Sequence, residues 1–256
     1  MYDFSDRSIL ITGGAGDLGS ATAEQFLRAN ARVTIVDIDR SSLDATVSRL
    51  EPLGELFGVQ ANVTVEEDVQ AYVAAAVGRH GPVDVFFNNA GIEGPVGPFV
   101  QTDVAAFEKV MAVNVRGAFL GLKHVLPLMM QRRRGSVINT SSVAGLDGTA
   151  QVVSYVTSKH ALVGLTKVAA LEAAPFGVRV NSIHPSSVQG RMMRSLEDGF
   201  NPGDANAARK TIAGAIPLGS YAQPADVARL VAFLASDDSS FITGAQYRID
   251  GGKGAA

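Results

Sequence analysis

The sequence predicts an α/β fold in which a mainly parallel β-sheet is flanked by helices. Short apolar runs alternate along the chain with longer segments of helical periodicity, as is typical of right-handed βαβ units. In the first half the strand segments are continuous apolar runs, which indicates a sheet covered on both faces. Because no proline- or glycine-rich linker interrupts this pattern, we expect a single domain over residues 1–256.

The first half of the chain contains four apolar runs and three helical patterns. The predicted strands are Ile9–Thr12, Val33–Val36, Leu56–Val59 and Val83–Phe87. The predicted helices are Gly19–Asn30, Leu43–Leu50 and Glu66–Arg79. Thr64 is the expected N-cap of the third helix, because acidic residues fill the turn that follows it.

The second half continues the alternation with longer helical patterns. Helices are predicted over Val104–Met130, Val152–Ala174 and Val227–Leu234. Strands are predicted over Val137–Thr140, Val178–Ile183 and Tyr247–Ile249. Residues 185–217 are the least regular segment and are rich in glycine and proline. Long irregular segments of compact α/β domains often cover a site, so we expect this one to be a substrate-binding lid.

Composition narrows the class of protein. The chain has 256 residues, 46% of them hydrophobic, which suffices to bury a sizeable core. The net charge of −3 gives no basic field for nucleic acid or an anionic membrane. The four histidines have no metal-like spacing and there is no cysteine, so we expect no metal and no disulfide.

The expected location is the cytoplasm. Residues 1–8 are polar and lack the apolar stretch of a signal peptide. No run approaches the roughly 20 apolar residues that span a bilayer. The absence of cysteine also fits a reducing compartment.

A glycine-rich turn, Thr12–Gly19, joins the first strand to the first helix. Backbone N–H groups and the positive end of the dipole at a helix start favour a pyrophosphate, and glycines let the backbone approach it closely. A glycine cluster alone also fits a tight strand–helix turn. Its position inside a βαβ unit favours a dinucleotide site.

Asp37 ends the second strand, 18 residues after Gly19. A carboxylate there can accept hydrogen bonds from both ribose hydroxyls of the adenosine half and repels a 2′-phosphate. This favours NAD over NADP, although Arg40 is a nearby cation. The alternative for Asp37 is a turn residue at a strand end.

Tyr155 and Lys159 lie four residues apart on a predicted helix and therefore share one face. A phenol with a pKa near 10 is a poor base, but a nearby ammonium and a positive nicotinamide ring would lower that pKa. Ser142 ends another strand segment, and its hydroxyl can bind a substrate oxygen. Alone, a tyrosine and lysine at this spacing are mostly structural.

With these motifs in this order, the chain resembles the short-chain dehydrogenase/reductase family from about Ser8 to Gly252. The resemblance is carried by Thr12–Gly19, Asn88-Asn89-Ala90-Gly91, Asn114, Ser142, Tyr155 with Lys159, Asn181 with Pro185, and Asp250-Gly251-Gly252. It implies a single-domain, doubly wound Rossmann fold that binds NAD(P).

The resemblance also implies roles for individual residues. Tyr155 is the expected acid–base group, Lys159 lowers its pKa and binds the nicotinamide ribose, and Ser142 orients the substrate oxygen. Asn114 is expected to hold a water that connects Lys159 to solvent. The expected cofactor-binding residues are Gly13, Gly16, Asp17, Leu18, Gly19, Asp37, Ile38, Asn62, Val63, Asn89, Ala90, Gly91, Tyr155, Lys159, Pro185 and Val188. Expected substrate-binding residues are Ser142, Glu93, Leu146, Val153 and Met192.

Three positions depart from the family pattern. Asp17 stands where the family's turn usually has glycine, and a carboxylate there repels a pyrophosphate unless it faces away or caps the helix. Asn62 replaces a common acid and keeps an acceptor for the adenine amino group. Gly190 stands where a threonine usually bonds the nicotinamide carboxamide.

The sequence thus predicts an NAD-dependent oxidoreductase that interconverts a secondary alcohol and a ketone. The alternatives are an NADPH-dependent ketone reductase of the 3-oxoacyl type, and a nucleotide-binding relative without catalysis. Relatives often form tetramers through the two long helices, whose apolar faces here are compatible with a homotetramer. No nucleic-acid or membrane partner is expected, and the substrate is a small neutral alcohol or ketone.

Overall fold

The fold is built on one parallel β-sheet, described by a computed structural model that covers residues 2–255. The strands in this range are β1 (Ser8–Thr12), β2 (Arg32–Asp37), β3 (Leu56–Gln60), β4 (Val85–Asn88), β5 (Gly135–Thr140), β6 (Val178–Pro185) and β7 (Gln246–Ile249). Within residues 2–255 these seven strands pair in the order β3-β2-β1-β4-β5-β6-β7, all parallel. The predicted doubly wound Rossmann architecture is confirmed.

Helices cover both faces of the sheet. They are α1 (Asp17–Leu27), α2 (Arg40–Leu50), α3 (Glu66–His80), α4 (Val104–Met111), α5 (Ala118–Arg132), α6 (Val153–Ala173), α7 (Arg191–Phe200), α8 (Ala205–Gly214) and α9 (Pro224–Ala235). Residues of α1, α2 and α9 share one apolar core, and those of α3, α5 and α6 share the other. The central strands β1 and β4 are buried throughout, as their continuous apolar runs predict, whereas the edge strand β3 is partly exposed.

The predicted helix over Val104–Met130 is not regular. Between α4 and α5, residues Ala112–Gly117 form a π-helical turn that carries the buried side chain of Asn114. Such wide turns inside helices occur frequently at functional sites. Periodicity cannot reveal them, because one extra residue barely changes the apolar pattern.

Two other expectations were wrong. Thr64 is not the N-cap of α3: Val65 holds that position without a side-chain bond, and the Thr64 hydroxyl donates instead to Asn62 Oδ1 at 2.8 Å. The irregular segment 185–217 contains α7 and α8. The glycines of this segment lie at the ends of α7 and α8 and in the connection between the two helices. They therefore mark where the helices begin and end and do not prevent helix formation.

Among the helices of residues 2–255, none combines the length and the apolar character that crossing a membrane requires.

Candidate active site

A cleft of about 1300 Å³ opens at the carboxyl ends of the strands, where open α/β sheets bind ligands. Its walls include residues at or just after the ends of β1 to β6. Most of the predicted site residues line it: Gly13, Gly16, Asp17, Leu18, Asp37, Ile38, Asn62, Val63, Asn89, Ala90, Gly91, Ser142, Tyr155, Lys159, Pro185, Val188 and Met192. The cleft lining does not include Gly19, Glu93, Asn114, Leu146 and Val153.

The glycine turn forms the floor of the cleft beside the start of α1. Gly13 has a φ of +64°, and a Cβ on it would lie 3.0 Å from the Cα of Ala90, so this position needs glycine. Gly16 is the N-cap of α1 and has no side-chain hydrogen bond there. The turn therefore presents backbone amides and no side-chain cap at a helix start, and this fits a pyrophosphate.

Asp37 lies beside this turn and is held by it. Its Oδ2 accepts a hydrogen bond from the Ala15 amide at 3.0 Å, and its Oδ1 accepts one from the Asp39 amide at 3.2 Å. Arg40, the nearby cation, donates to Asp44 at 2.8 Å and does not line the cleft. In this structure the Arg40 side chain is therefore directed along α2 towards Asp44 and not into the cleft.

Polar side chains tie the carboxyl ends of β1, β4 and β5 together. Thr12 Oγ1 accepts from the amides of Asn89 and Ala90 at 3.0 and 3.2 Å. Asn89 Oδ1 accepts from the Thr140 hydroxyl at 3.1 Å. This network fixes the middle of the cleft at the point where the strand order reverses, and Thr12 and Thr140 are members that sequence reasoning did not assign.

Asn62 also lines the cleft, but its carbonyl oxygen is used locally. Oδ1 accepts from both the amide and the hydroxyl of Thr64, at 3.0 and 2.8 Å. The expected acceptor for an adenine amino group is therefore occupied by a neighbouring turn.

Ser142, Tyr155 and Lys159 converge at the other end of the cleft. The Lys159 ammonium lies 5.4 Å from the centre of the Tyr155 ring and donates to the carbonyl of Thr140 at 2.8 Å. Ser142 Oγ accepts from the Ala144 amide at 3.1 Å and its hydroxyl donates to the Pro185 carbonyl at 3.4 Å. Tyr155 lies near enough to Ser142 for the serine to lower the pKa of the phenol. Ser142, two residues after the end of β5, thus meets Tyr155 and Lys159 of α6 around one position.

Burial shifts the pKa values of Tyr155 and Lys159. Burial raises the pKa of Tyr155 to about 12, although the hydrogen bond with Ser142 lowers it and the nearby Glu93 raises it. Burial also lowers the pKa of Lys159 from its ordinary 10.5 to about 8. Burial therefore disfavours the charged form of both groups, and the lowering of the Tyr155 pKa by Lys159 beside a bound nicotinamide stays a prediction.

Asn114 holds the backbone and side chains next to Tyr155 and Lys159 in place. Its side-chain amide pairs with the backbone of Ile92, at 2.8 and 2.9 Å, and donates to the Ser158 hydroxyl at 2.9 Å. A Cβ on Gly91 would lie 3.2 Å from Asn114 Oδ1 and 3.4 Å from Lys159 Nζ, so the three residues meet closely. The predicted water between Asn114 and Lys159 stays a prediction.

His184 is a buried member of the site that sequence reasoning left as a histidine without a role. Its Nδ1 bonds the carbonyl of Ser142 and its Nε2 bonds the hydroxyl of Ser182, both at 2.8 Å. The ring therefore fixes the backbone that carries Ser142. Its position one residue before Pro185, at the end of a strand, was the available signal.

The segment 185–217 forms the outer wall of the cleft. Its apolar lining residues are Val188, Met192, Met193, Leu196, Phe200, Ala207, Ala208 and Ile212. Val188 and Met192 among them were predicted as site residues, and Met193 and Phe200 as apolar residues of the lid segment with either core packing or cover of a substrate as their role. Lys253, near the end of the described chain, also lines the cleft. Helix α7 is amphipathic, and its apolar face is turned towards the cleft.

The comparisons with known proteins agree with this geometry. The profile of the family described as enoyl-(acyl carrier protein) reductase matches residues 13–253. The chain belongs to the short-chain dehydrogenase/reductase family, and it is an oxidoreductase that acts on alcohols or ketones.

Individual relatives are similar over almost their whole length. Levodione reductase of Leifsonia aquatica is 38% identical over 99% of this chain and 96% of its own. A crystal structure of levodione reductase matches with a TM-score of 0.97 over 99% of both chains. Cyclohexanol dehydrogenase of an Acinetobacter strain is 34% identical, covering 97% and 95%. An NAD⁺-bound xylitol dehydrogenase structure is 32% identical, with a TM-score of 0.93 over 97% and 99%.

Proposed function

We propose that the protein is an NAD-dependent oxidoreductase that interconverts a secondary alcohol and a ketone, with Tyr155 as its acid–base group. The observation that carries this proposal is the convergence of Ser142, Tyr155 and Lys159 on a cleft that also contains the glycine turn. The same set argues against a nucleotide-binding relative without catalysis.

The proposed mechanism assigns one role to each of the three converging groups. The hydroxyls of Ser142 and Tyr155 bind the substrate oxygen. In reduction, the protonated phenol of Tyr155 donates its proton to the developing alkoxide, and the Ser142 hydroxyl stabilises the negative charge. Oxidation uses the same proton path in reverse, so tyrosinate accepts the alcohol proton. A bound nicotinamide supplies the hydride acceptor or donor, and Lys159 stabilises the tyrosinate by its charge.

The residues around the glycine turn fit a dinucleotide of the NAD type. Backbone amides at the start of α1 face the cleft, Asp37 lies beside them, and Arg40 is turned towards Asp44. The xylitol dehydrogenase structure contains NAD⁺, which supports the choice. The alternative, an NADPH-dependent ketone reductase, draws support from the acyl-carrier-protein description of the matching family.

Asp37→Ser is expected to weaken the preference for NAD over NADP by about 100-fold, measured as the ratio of the two kcat/KM values. The reason is that the carboxylate repels a 2′-phosphate, and like charges at close range cost several kcal/mol. Asp103→Ser is the matched control, because Asp103 lies outside the cleft, caps α4 by accepting from the Ala106 amide, and serine keeps that cap. A wild type that turns over faster with NADPH would contradict the choice of cofactor.

We further propose a neutral alicyclic alcohol or ketone as the substrate, with residues 185–217 as the lid that covers it. The lid wall is apolar, and two relatives are named for levodione and cyclohexanol. A screen of cyclic and acyclic secondary alcohols with NAD, followed by nicotinamide absorbance, tests this. Preferential turnover of 3-oxoacyl thioesters with NADPH would support the alternative. The single-domain organisation over 1–256 and the cytoplasmic location stay predictions.

A homotetramer is proposed from the exposed apolar face of α6, where Val168 and Leu171 are 56% and 78% exposed. Leu171→Glu is expected to reduce the molar mass in solution by at least half, because a buried charge without a partner destabilises an interface. Light scattering after size exclusion measures the mass. Val65→Glu, at the N-cap of α3, is the control and should not change it. A wild type that is monomeric would overturn the proposal.

A further inference from the structure

The first residue of α7 is held from two sides of the cleft. The Arg191 amide donates to Asp17 Oδ2 at 2.8 Å, across 174 residues of sequence. The Arg191 guanidinium lies 3.5 Å from Glu93 Oε1, and the Glu93 side chain is only 11% exposed. Asp17 follows β1 and Glu93 follows β4. Two carboxylates, one at the start of α1 and one in the loop after β4, therefore bind the first residue of α7, whose apolar residues Met192, Met193, Leu196 and Phe200 line the cleft.

Gly190 leaves the space that this contact needs. A Cβ on Gly190 would overlap Oδ2 of Asp17 and would lie 3.1 Å from the Cβ of Asp17. The carboxylate thus fills the volume that a side chain at position 190 would take. The two departures from the family pattern, Asp17 and Gly190, are therefore one feature of the structure, since the Asp17 carboxylate fits in this position only when residue 190 has no side chain.

The Asp17 carboxylate bonds the start of α7, and this contact reduces its repulsion of a pyrophosphate at the glycine turn. Its Oδ2 faces the amide at the start of α7, where the helix dipole and the unpaired N–H groups favour an anion. Hydrogen bonds from backbone amides to a carboxylate are among the stronger ones in proteins. The contact can therefore hold α7 in place over the cleft.

We propose that Asp17 is a positioning residue that ties α7 across the cleft and slows the release of the dinucleotide. This inference rests on the proposed NAD site. Asp17, Gly190 and Arg191 all line the cleft between the glycine turn and the lid, so a dinucleotide enters and leaves past their contact. Opening the contact also releases Met192, Met193 and Leu196 from the cleft wall.

Asp17→Gly is expected to raise the dissociation rate of NADH and the KM for NAD about 10-fold, or ~1.4 kcal/mol, with a much smaller change in kcat. NADH fluorescence in stopped flow measures the rate. Asp17→Asn keeps an acceptor oxygen and should stay within about threefold of wild type. If the carboxylate acts mainly by repelling a pyrophosphate, both variants bind NADH more tightly, and this result would overturn the proposal.

A double-mutant cycle that combines Asp17→Gly with Gly190→Ala tests whether the Asp17 carboxylate needs the space left by Gly190. Alone, Gly190→Ala should weaken NADH retention as Asp17→Gly does, because the methyl group displaces the carboxylate. In the Asp17→Gly background the alanine has room, so little further loss is expected. Independent, additive losses would show that the two residues do not act through one contact.

A second readout does not depend on the dinucleotide. Hydrogen exchange of amides in residues 190–200 of the protein alone should be faster in Asp17→Gly than in wild type. Glu67→Gly is the matched control, since it also removes an exposed first-turn carboxylate, from α3. Unchanged exchange in Asp17→Gly would overturn the positioning role. A wild type that binds neither NAD nor NADP would instead overturn the proposed function.

Discussion

Replacement of Tyr155 by phenylalanine is expected to lower kcat about 1000-fold while NADH binding is retained. A positioned acid–base group contributes roughly 10²–10⁴-fold to a proton-transfer step, and in this site only the phenol of Tyr155 lies where Ser142 and Lys159 converge. The ring itself lines the cleft, and phenylalanine keeps it. The loss therefore falls on turnover, and NADH fluorescence should report a dissociation constant close to that of wild type.

Tyr72→Phe is the matched control. The same atom is removed from Tyr72, a buried tyrosine of α3 whose hydroxyl has no hydrogen-bond partner within residues 2–255. Turnover should stay at the wild-type level, and stability should not fall, because an unpaired buried hydroxyl disappears. Substantial turnover in Tyr155→Phe would remove the role proposed for the tyrosine.

The sheet and the convergence of Ser142, Tyr155 and Lys159 on one cleft were predictable because they depend on local patterns. Continuous apolar runs such as Ile9–Thr12 mark central strands, and the spacing of Tyr155 and Lys159 fixes their common helical face. The carboxyl ends of parallel strands meet at one edge, so residues such as Asp37 and Ser142 could be placed in one cleft from sequence alone.

The features that the sequence did not reveal depend on contacts between distant segments. The π-helical turn around Asn114 is held by Ile92 and Ser158, neither of which is a neighbour in sequence. Helix α7 begins at a residue whose amide is bound by Asp17, so its start is set by tertiary structure. Single-sequence periodicity has no access to such long-range hydrogen bonds, and it therefore predicted a loop in this segment.

Lys159→Met is expected to lower kcat by about 100-fold and to change the pH dependence of stability. The ammonium is buried, and its pKa in the folded protein is about 8 against an ordinary 10.5. Between these two values the unfolded chain binds more protons than the folded one, so the stability of wild type rises with pH. Well below pH 8, burial of the charged ammonium lowers the free energy of unfolding of wild type by roughly 3 kcal/mol.

The pH dependence of the free energy of unfolding can be measured separately from turnover. Methionine cannot titrate, so the free energy of unfolding of wild type relative to Lys159→Met should increase by roughly 2 kcal/mol between pH 7 and pH 10. Loss of the hydrogen bond to the Thr140 carbonyl costs the variant about 1 kcal/mol at every pH, which shifts the curve without changing its slope. Urea titrations of both proteins without dinucleotide measure the difference.

Lys167→Met, at an exposed lysine on the same helix, should keep the pH dependence of wild type. A difference between wild type and Lys159→Met that is flat from pH 7 to pH 10 would show that the folded protein does not depress the pKa of Lys159. If instead the slope appears together with the loss of turnover, the buried ammonium destabilises the fold at neutral pH. Its position under Tyr155 is then explained by the charge it supplies to tyrosinate during the proton transfer.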